Sequence, residues 1–202
     1  MTRSFWVAGG CAILLGCAPK LESWATDYPA GVLDVRYEPA THFASCLVAS
    51  VAMAASKVDG HLYNEPEIRR QLREAGLDET RPHDLDTWLA TRRLDLLILA
   101  GRLDDRPPFG VEYWVMQRGY PAICIVNRSG EDTRYNHAIV VIGVQRKVTD
   151  HPGTTDTLYY LDPASKRGLE TVDRETFEMW WSRGQRTMMV VVKPPAGVNK
   201  ES

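Results

Sequence analysis

Asn136-His137-Ala138-Ile139-Val140-Val141-Ile142-Gly143-Val144 is the stretch that decides the fold. Seven consecutive apolar or small residues follow a histidine. β-branched side chains dominate, as they do in strands packed against a core. Working outward, residues 121–126, 157–162 and 186–193 have the same character and are separated by polar turns, so the four read as an antiparallel sheet. Arg174 to Trp181 reads as an amphipathic helix between the last two strands. Upstream the spacing becomes helical. Leu47, Val48, Val51, Ala54, Ala55 and Val58 fall on adjoining faces of a buried helix over 46–58. Asn64 can cap a second helix, with Pro66 in its first turn, Ile68 and Leu72 inward and an end near Gly76. Asp84 opens a third through Leu85, Trp88 and Leu89, and Val111, Trp114 and Val115 mark another that stops at Gly119. Leu94 to Leu99 fits a short strand, and Asp104 to Pro108 reads as loop. Helices first and sheet second is an α+β layout.

The histidine has two companions in chain order. Ser45-Cys46 heads the Ala-rich helix, and Tyr159-Tyr160-Leu161-Asp162-Pro163-Ala164 is a strand pattern broken by Asp-Pro. Thiolate catalysis needs a nucleophile that deprotonates, a base beside it and a group that orients the base. A helix start favours the thiolate through its unpaired N–H groups and dipole. Each residue also has a plainer reading: Cys46 as a small buried hydrophobe, His137 as a satisfied strand-end histidine, Asp162 as the turn-former of Asp-Pro. Tryptophans 88, 114, 180 and 181 read as core or groove-lining side chains. His61, His83 and His151 fall in loops without ligand spacing, so no metal site is expected.

Residues 1–17 read as an address rather than as part of the fold. Arg3 supplies a positive start, Phe5 to Leu15 a short apolar core, and Leu14-Leu15-Gly16-Cys17 follows. The apolar stretch is well short of the roughly 20 residues a spanning helix needs. It resembles the lipobox of bacterial lipoproteins, which implies lipidation of Cys17 and removal of the preceding peptide. With Ala18 next, the expected location is the cell envelope, lipid-anchored to the outer membrane and facing the periplasm. Residues 18–40, with three prolines, read as a tether, and 194–202 as a disordered tail. About 185 residues then remain, one domain of ordinary size. Apolar content of 44% and charged content of 25% support a buried core. A net charge of −2, without a Lys/Arg stripe, argues against a nucleic-acid partner. Of four cysteines, Cys11 and Cys17 belong to the address. Cys46 and Cys124 either pair in an oxidising compartment or stay apart as a functional thiol and a core side chain in Ala122–Val126; the second is favoured.

The layout and the three segments together resemble the papain-like cysteine peptidases of the bacteriocin-processing type, the double-glycine leader peptidases and their stand-alone relatives. The matching residues are Cys46 at a helix start, His137 to Gly143, Leu161-Asp162-Pro163-Ala164, Gly119-Tyr120-Pro121-Ala122-Ile123, and Phe177 and Trp180 after the aspartate. The likeness spans roughly residues 40 to 185. It implies a papain-like domain over 41–193, N-terminal helices against a C-terminal antiparallel sheet, a catalytic Cys46-His137-Asp162 triad, a peptide or protein substrate and no cofactor. Two departures stand out. The family's oxyanion glutamine lies six residues before the cysteine, where this chain has Ala40, and the glycine after the cysteine is Leu47. His42 is then a candidate oxyanion donor, beside Thr41 and backbone N–H groups. The alternative that these departures favour is a catalytically degenerate, peptide-binding relative.

Overall fold

The computed structural model describes residues 28–130, 136–146 and 156–194. In chain order its elements are a 3-10 turn (Phe43–Ser45), α1 (Cys46–Asp59), α2 (Glu65–Glu74), α3 (Pro82–Ala90), β1 (Asp95–Ala100), a π-helical turn (Tyr113–Gln117), β2 (Ala122–Val126), β3 (His137–Gln145), β4 (Thr157–Leu161), β5 (Leu169–Asp173), α4 (Arg174–Arg183) and β6 (Thr187–Val192). The six strands form one sheet in the order β1-β6-β2-β3-β4-β5, and every neighbouring pair is antiparallel. The fold is α+β and papain-like.

The apolar run after His137 becomes β3, near the middle of the sheet and buried from Ala138 to Val144. It needs no polar alternation because helices cover both faces. Residues Leu47 to Ala55 of α1 are all buried, and α1 lies across β3, β6 and β2 with α2 and α3 beside it. Its alanines and serines let the helix approach the sheet closely. On the other face α4 buries Phe177 and Trp181 against β2 and β6, joined by Val111, Trp114 and Val115.

Asn64 caps α2 by accepting the Glu67 N–H at 3.0 Å. The third helix starts two residues earlier than Asp84, with Pro82 in the first turn. Asp84 instead accepts the N–H of Asp78 at 2.8 Å, closing the loop before the helix. The sheet gains β5, which the sequence pattern does not announce. Leu-Glu-Thr-Val-Asp buries only Val172, because an edge strand with one covered face needs little apolar surface. Tyr28 to Ala40, expected as the end of a tether, lies against the domain. Val35 is buried, and Leu33 donates its N–H to the Ile142 carbonyl at 2.8 Å. That approach needs Gly143, since a Cβ there would stand 2.9 Å from Val32. Residues 1–17 with Cys17, the tether up to residue 27, His151 and residues 195–202 lie outside the described residues. Among the described residues no helix is long and apolar enough to cross a membrane.

Candidate active site

The start of α1 is built by Ser45. Its buried hydroxyl accepts the His42 N–H at 3.1 Å and donates to the His42 carbonyl at 3.0 Å, closing the 3-10 turn that launches the helix. Cys46 is therefore the first residue of α1 and is partly buried, where orphan N–H groups and the helix dipole both favour negative sulfur. His137 is the first residue of β3 and faces this helix start. Asp162 follows the last residue of β4, the strand paired with β3.

The three side chains come together at one place, with His137 between Cys46 and Asp162. Nε2 of His137 lies 2.6 Å from Oδ1 of Asp162, and the imidazole also sits close enough to Cys46 for each to shift the other's proton affinity. Asp162 is only 3% exposed, so its carboxylate must be satisfied internally. Oδ1 also accepts the Ala164 N–H at 2.9 Å, and Arg128 reaches Oδ2 at 2.9 Å. The backbone around Asp162 is clamped from the N-terminal segment. Tyr37 places its hydroxyl among the carbonyls of Asp162, Pro163 and Ser165, and Ala40 donates its N–H to the Pro163 carbonyl at 2.9 Å.

Proton affinities follow from these contacts. Burial works against the Cys46 thiolate, but the hydrogen bond and charge of His137 and the backbone of Ala138 and Leu47 bring its pKa below the ordinary thiol value. Burial likewise works against the His137 cation, yet Asp162 and Cys46 together lift its pKa to about 9. Asp162, although desolvated, is held down to about 2 by His137, the Ala164 N–H and Arg128. The downward shift at Cys46 and the upward shift at His137 both favour a thiolate–imidazolium pair over the neutral one, beside a carboxylate that stays ionised. Cys124 is the opposite case: fully buried in β2 on the α4 face, its pKa is pushed far up by desolvation alone. Both thiols are free, and they point into different sides of the sheet.

The site opens onto a cavity of about 550 Å³. One wall is Ala40 to Phe43 with Cys46; the other carries Arg128, Ser129, Asn136, His137, Asp162 and Ala164. Phe43 is 89% exposed at this mouth. His42 is exposed on the same wall as Cys46. Thr41 is already engaged, its hydroxyl donating to the fully buried carboxylate of Glu65 at 2.7 Å. Ala40 has no side-chain donor to offer. Sequence reasoning missed Arg128 and Tyr37. Neither sits in a motif, and each reaches the site only through strand pairing or through the course of the N-terminal segment.

No family model matches the chain, and neither does any curated protein sequence. Solved structures do match. The chain is similar to the peptidase domain of Streptococcus ComA, a bifunctional ABC transporter of a quorum-sensing pathway, with a TM-score of 0.52 and 15% identity, over 79% of this chain and 100% of that one. It is also similar to a Bacillus anthracis protein described as a C39-like peptidase, with a TM-score of 0.54 and 16% identity, over 81% of this chain and 98% of that one. At such identities the likeness establishes the fold, and that fold is the one on which C39 peptidase domains are built.

Proposed function

We propose that this protein is a cysteine peptidase acting on peptide or protein substrates. The carrying observation is that the hydrogen-bonded pair His137–Asp162 and the neighbouring Cys46 line one cavity. In this reading the thiol proton resides on His137, and the Cys46 thiolate attacks the scissile carbonyl. The C–S bond forms as the carbonyl π pair moves to oxygen. His137 then gives its proton to the leaving amine as the C–N bond breaks, leaving a thioester. A water loses a proton to His137, adds to the thioester and releases the acid, and the thiol returns. Asp162 holds the imidazole tautomer and stabilises its charge throughout. The oxyanion is met by backbone N–H groups at the start of α1 and by His42, an exposed side chain with N–H groups on that wall.

Cys17 is proposed as the lipid anchor, with the domain at the outer membrane facing the periplasm. The lipobox-like Leu14-Leu15-Gly16-Cys17 supports this. Metabolic labelling with a fatty-acid analogue should mark the wild type and not Cys17→Ala; label that survives the substitution rejects the anchor.

The decisive experiment incubates the purified full-length protein with a peptide library, beside Cys46→Ala, and reads cleavage by mass spectrometry. Products that appear with both proteins, or with neither, overturn the peptidase reading. A second reading, a peptide-binding relative without turnover, draws on Ala40 at the glutamine position and on the commitment of Thr41 to Glu65. It predicts no cleavage, no alkylation of Cys46 in the native protein, and peptide capture equal in wild type and Cys46→Ala.

A further inference from the structure

Arg128 belongs to no motif, yet the structure builds an elaborate support for it. The residue sits just beyond β2, in a turn held by Asn127. The Asn127 side-chain oxygen accepts the Ser129 hydroxyl at 3.0 Å and the Gly130 N–H at 2.8 Å, and the backbone N–H of Asn127 donates to the Trp180 carbonyl at 2.9 Å. The guanidinium projecting from this turn lies over the rings of Trp180 at 4.9 Å and Tyr160 at 5.7 Å, and it donates to the Tyr160 hydroxyl at 3.3 Å. Cation–ring contacts on two elements, α4 and β4, brace the planar group on one side, while the side chain stays 41% exposed. What it meets there is Oδ2 of Asp162, at 2.9 Å.

The division of labour on that carboxylate is the informative point. Oδ1 faces His137 and the Ala164 N–H; Oδ2 faces Arg128. A buried carboxylate with one empty oxygen would recruit water or swing toward it. A fixed positive charge on the outer oxygen also weakens the field that Asp162 exerts on the imidazole.

We propose that Arg128 is a positioning residue: by holding the outer oxygen of Asp162 it orients the carboxylate for His137 and limits how firmly that carboxylate keeps a proton on the imidazole. The inference rests on the peptidase reading and deepens it. A base that never releases its proton cannot accept one from water in the second half of the cycle, so a counterweight to Asp162 serves turnover. The other titratable or charged groups around the site, among the described residues, are few. Cys46 faces His137 from α1. Tyr37 and His42 approach from the N-terminal segment, and Tyr160 from β4, with Glu170 of β5 behind it. Arg128 is the cation in contact with Asp162, and so the group whose removal changes the balance most.

The test is the titration of the His137 ring by NMR in the full-length protein, with kcat and KM measured alongside. Arg128→Gln should move the His137 midpoint upward by about one pH unit, as expected when a like charge leaves the vicinity. It should lower kcat about tenfold, less than the 10²-fold a 1 Å misplacement can cost, with KM nearly unchanged. Arg128→Lys keeps the charge, so its midpoint should stay close to the wild type, and it serves as the backup should Arg128→Gln fold poorly. A midpoint that is unmoved or lowered in a folded Arg128→Gln protein overturns the proposal. A raised KM with unchanged kcat and midpoint also overturns it, by making Arg128 a substrate contact. Failure of the peptidase reading looks different: the wild type itself then shows no thiolate at Cys46 near neutral pH and no cleavage.

Discussion

Cys46 and Cys124 differ only in where the chain puts them, on opposite sides of one sheet. Cys46 begins a helix beside an imidazole, at the wall of a cavity, and its proton is easily lost. Cys124 lies in mid-strand among Val, Met and aromatic side chains, and its proton is held fast by desolvation. The same side chain has a lowered pKa at a cavity wall in one place and is packing material in the other. The difference lies in unpaired N–H groups and a basic partner, not in the sulfur.

The sharpest way to break the comparison is to remove each member. Cys46→Ala should abolish cleavage, with a loss on the order of 10⁵-fold or more, and His137→Ala should match it because the two act as a unit. Cys46→Ala should unfold close to the wild-type temperature, whereas His137→Ala should unfold lower, because it takes the partner from the buried Asp162 carboxylate. Turnover surviving in Cys46→Ala, or lost in Cys124→Ala, would reverse the roles. Asp162→Asn comes next. It leaves nucleophile and base in place, so its loss should stay below the ~10⁴-fold cost of the same change in a serine triad. His42→Ala follows at about 10²-fold if it donates to the oxyanion, and an unchanged kcat assigns that role to the backbone.

The pH dependence sharpens the contrast without mutation. Alkylation of Cys46 should proceed below the ordinary thiol pKa, while Cys124 should react only in denaturant. Cleavage should fall on the alkaline side near pH 9, where His137 loses its proton. The signs for stability run in opposite directions. The pKa of His137 is raised from 6.5 to about 9 in the folded state, so its stabilising contribution is complete below 6.5 and lost as pH rises through 9. That of Asp162 is lowered from 3.8 to about 2, so its contribution is present above 3.8 and lost as pH falls through 2. An alkaline limb that is the same in Asp162→Asn would contradict the coupling. The smallest effect belongs to Cys124→Ala, a buried small-to-smaller change that should cost about 1 kcal/mol by chemical denaturation and leave kcat intact.

Legibility in the sequence follows physical range. The run from Ala138 to Val144, the alanines of α1 and the Asn64 cap act within a few residues, and each appears as an element where the pattern places it. The polar edge strand β5 does not stand out, because a strand that buries one side chain needs only a neighbour to pair with. The packing of Tyr28 to Ala40 was equally hidden: its anchors are a backbone bond to Ile142 and a hydroxyl among three carbonyls beyond residue 160.

Cys46, His137 and Asp162 stood out as candidates from residue type and local setting, since helix starts and strand ends are local properties. Their meeting is not local. His137 and Asp162 approach to 2.6 Å because β3 and β4 pair in one register, and Cys46 joins them because α1 lies across β3. By itself the sequence determined the alternation of helix and strand and the chemistry available at their ends, through propensity and hydrophobic spacing. Tertiary structure alone decided that Arg128 faces Asp162, that Thr41 is spent on Glu65 and that one cysteine sits at a cavity while the other is buried. Each of these depends on contacts between residues far apart in the chain, which sheet pairing and core burial bring together.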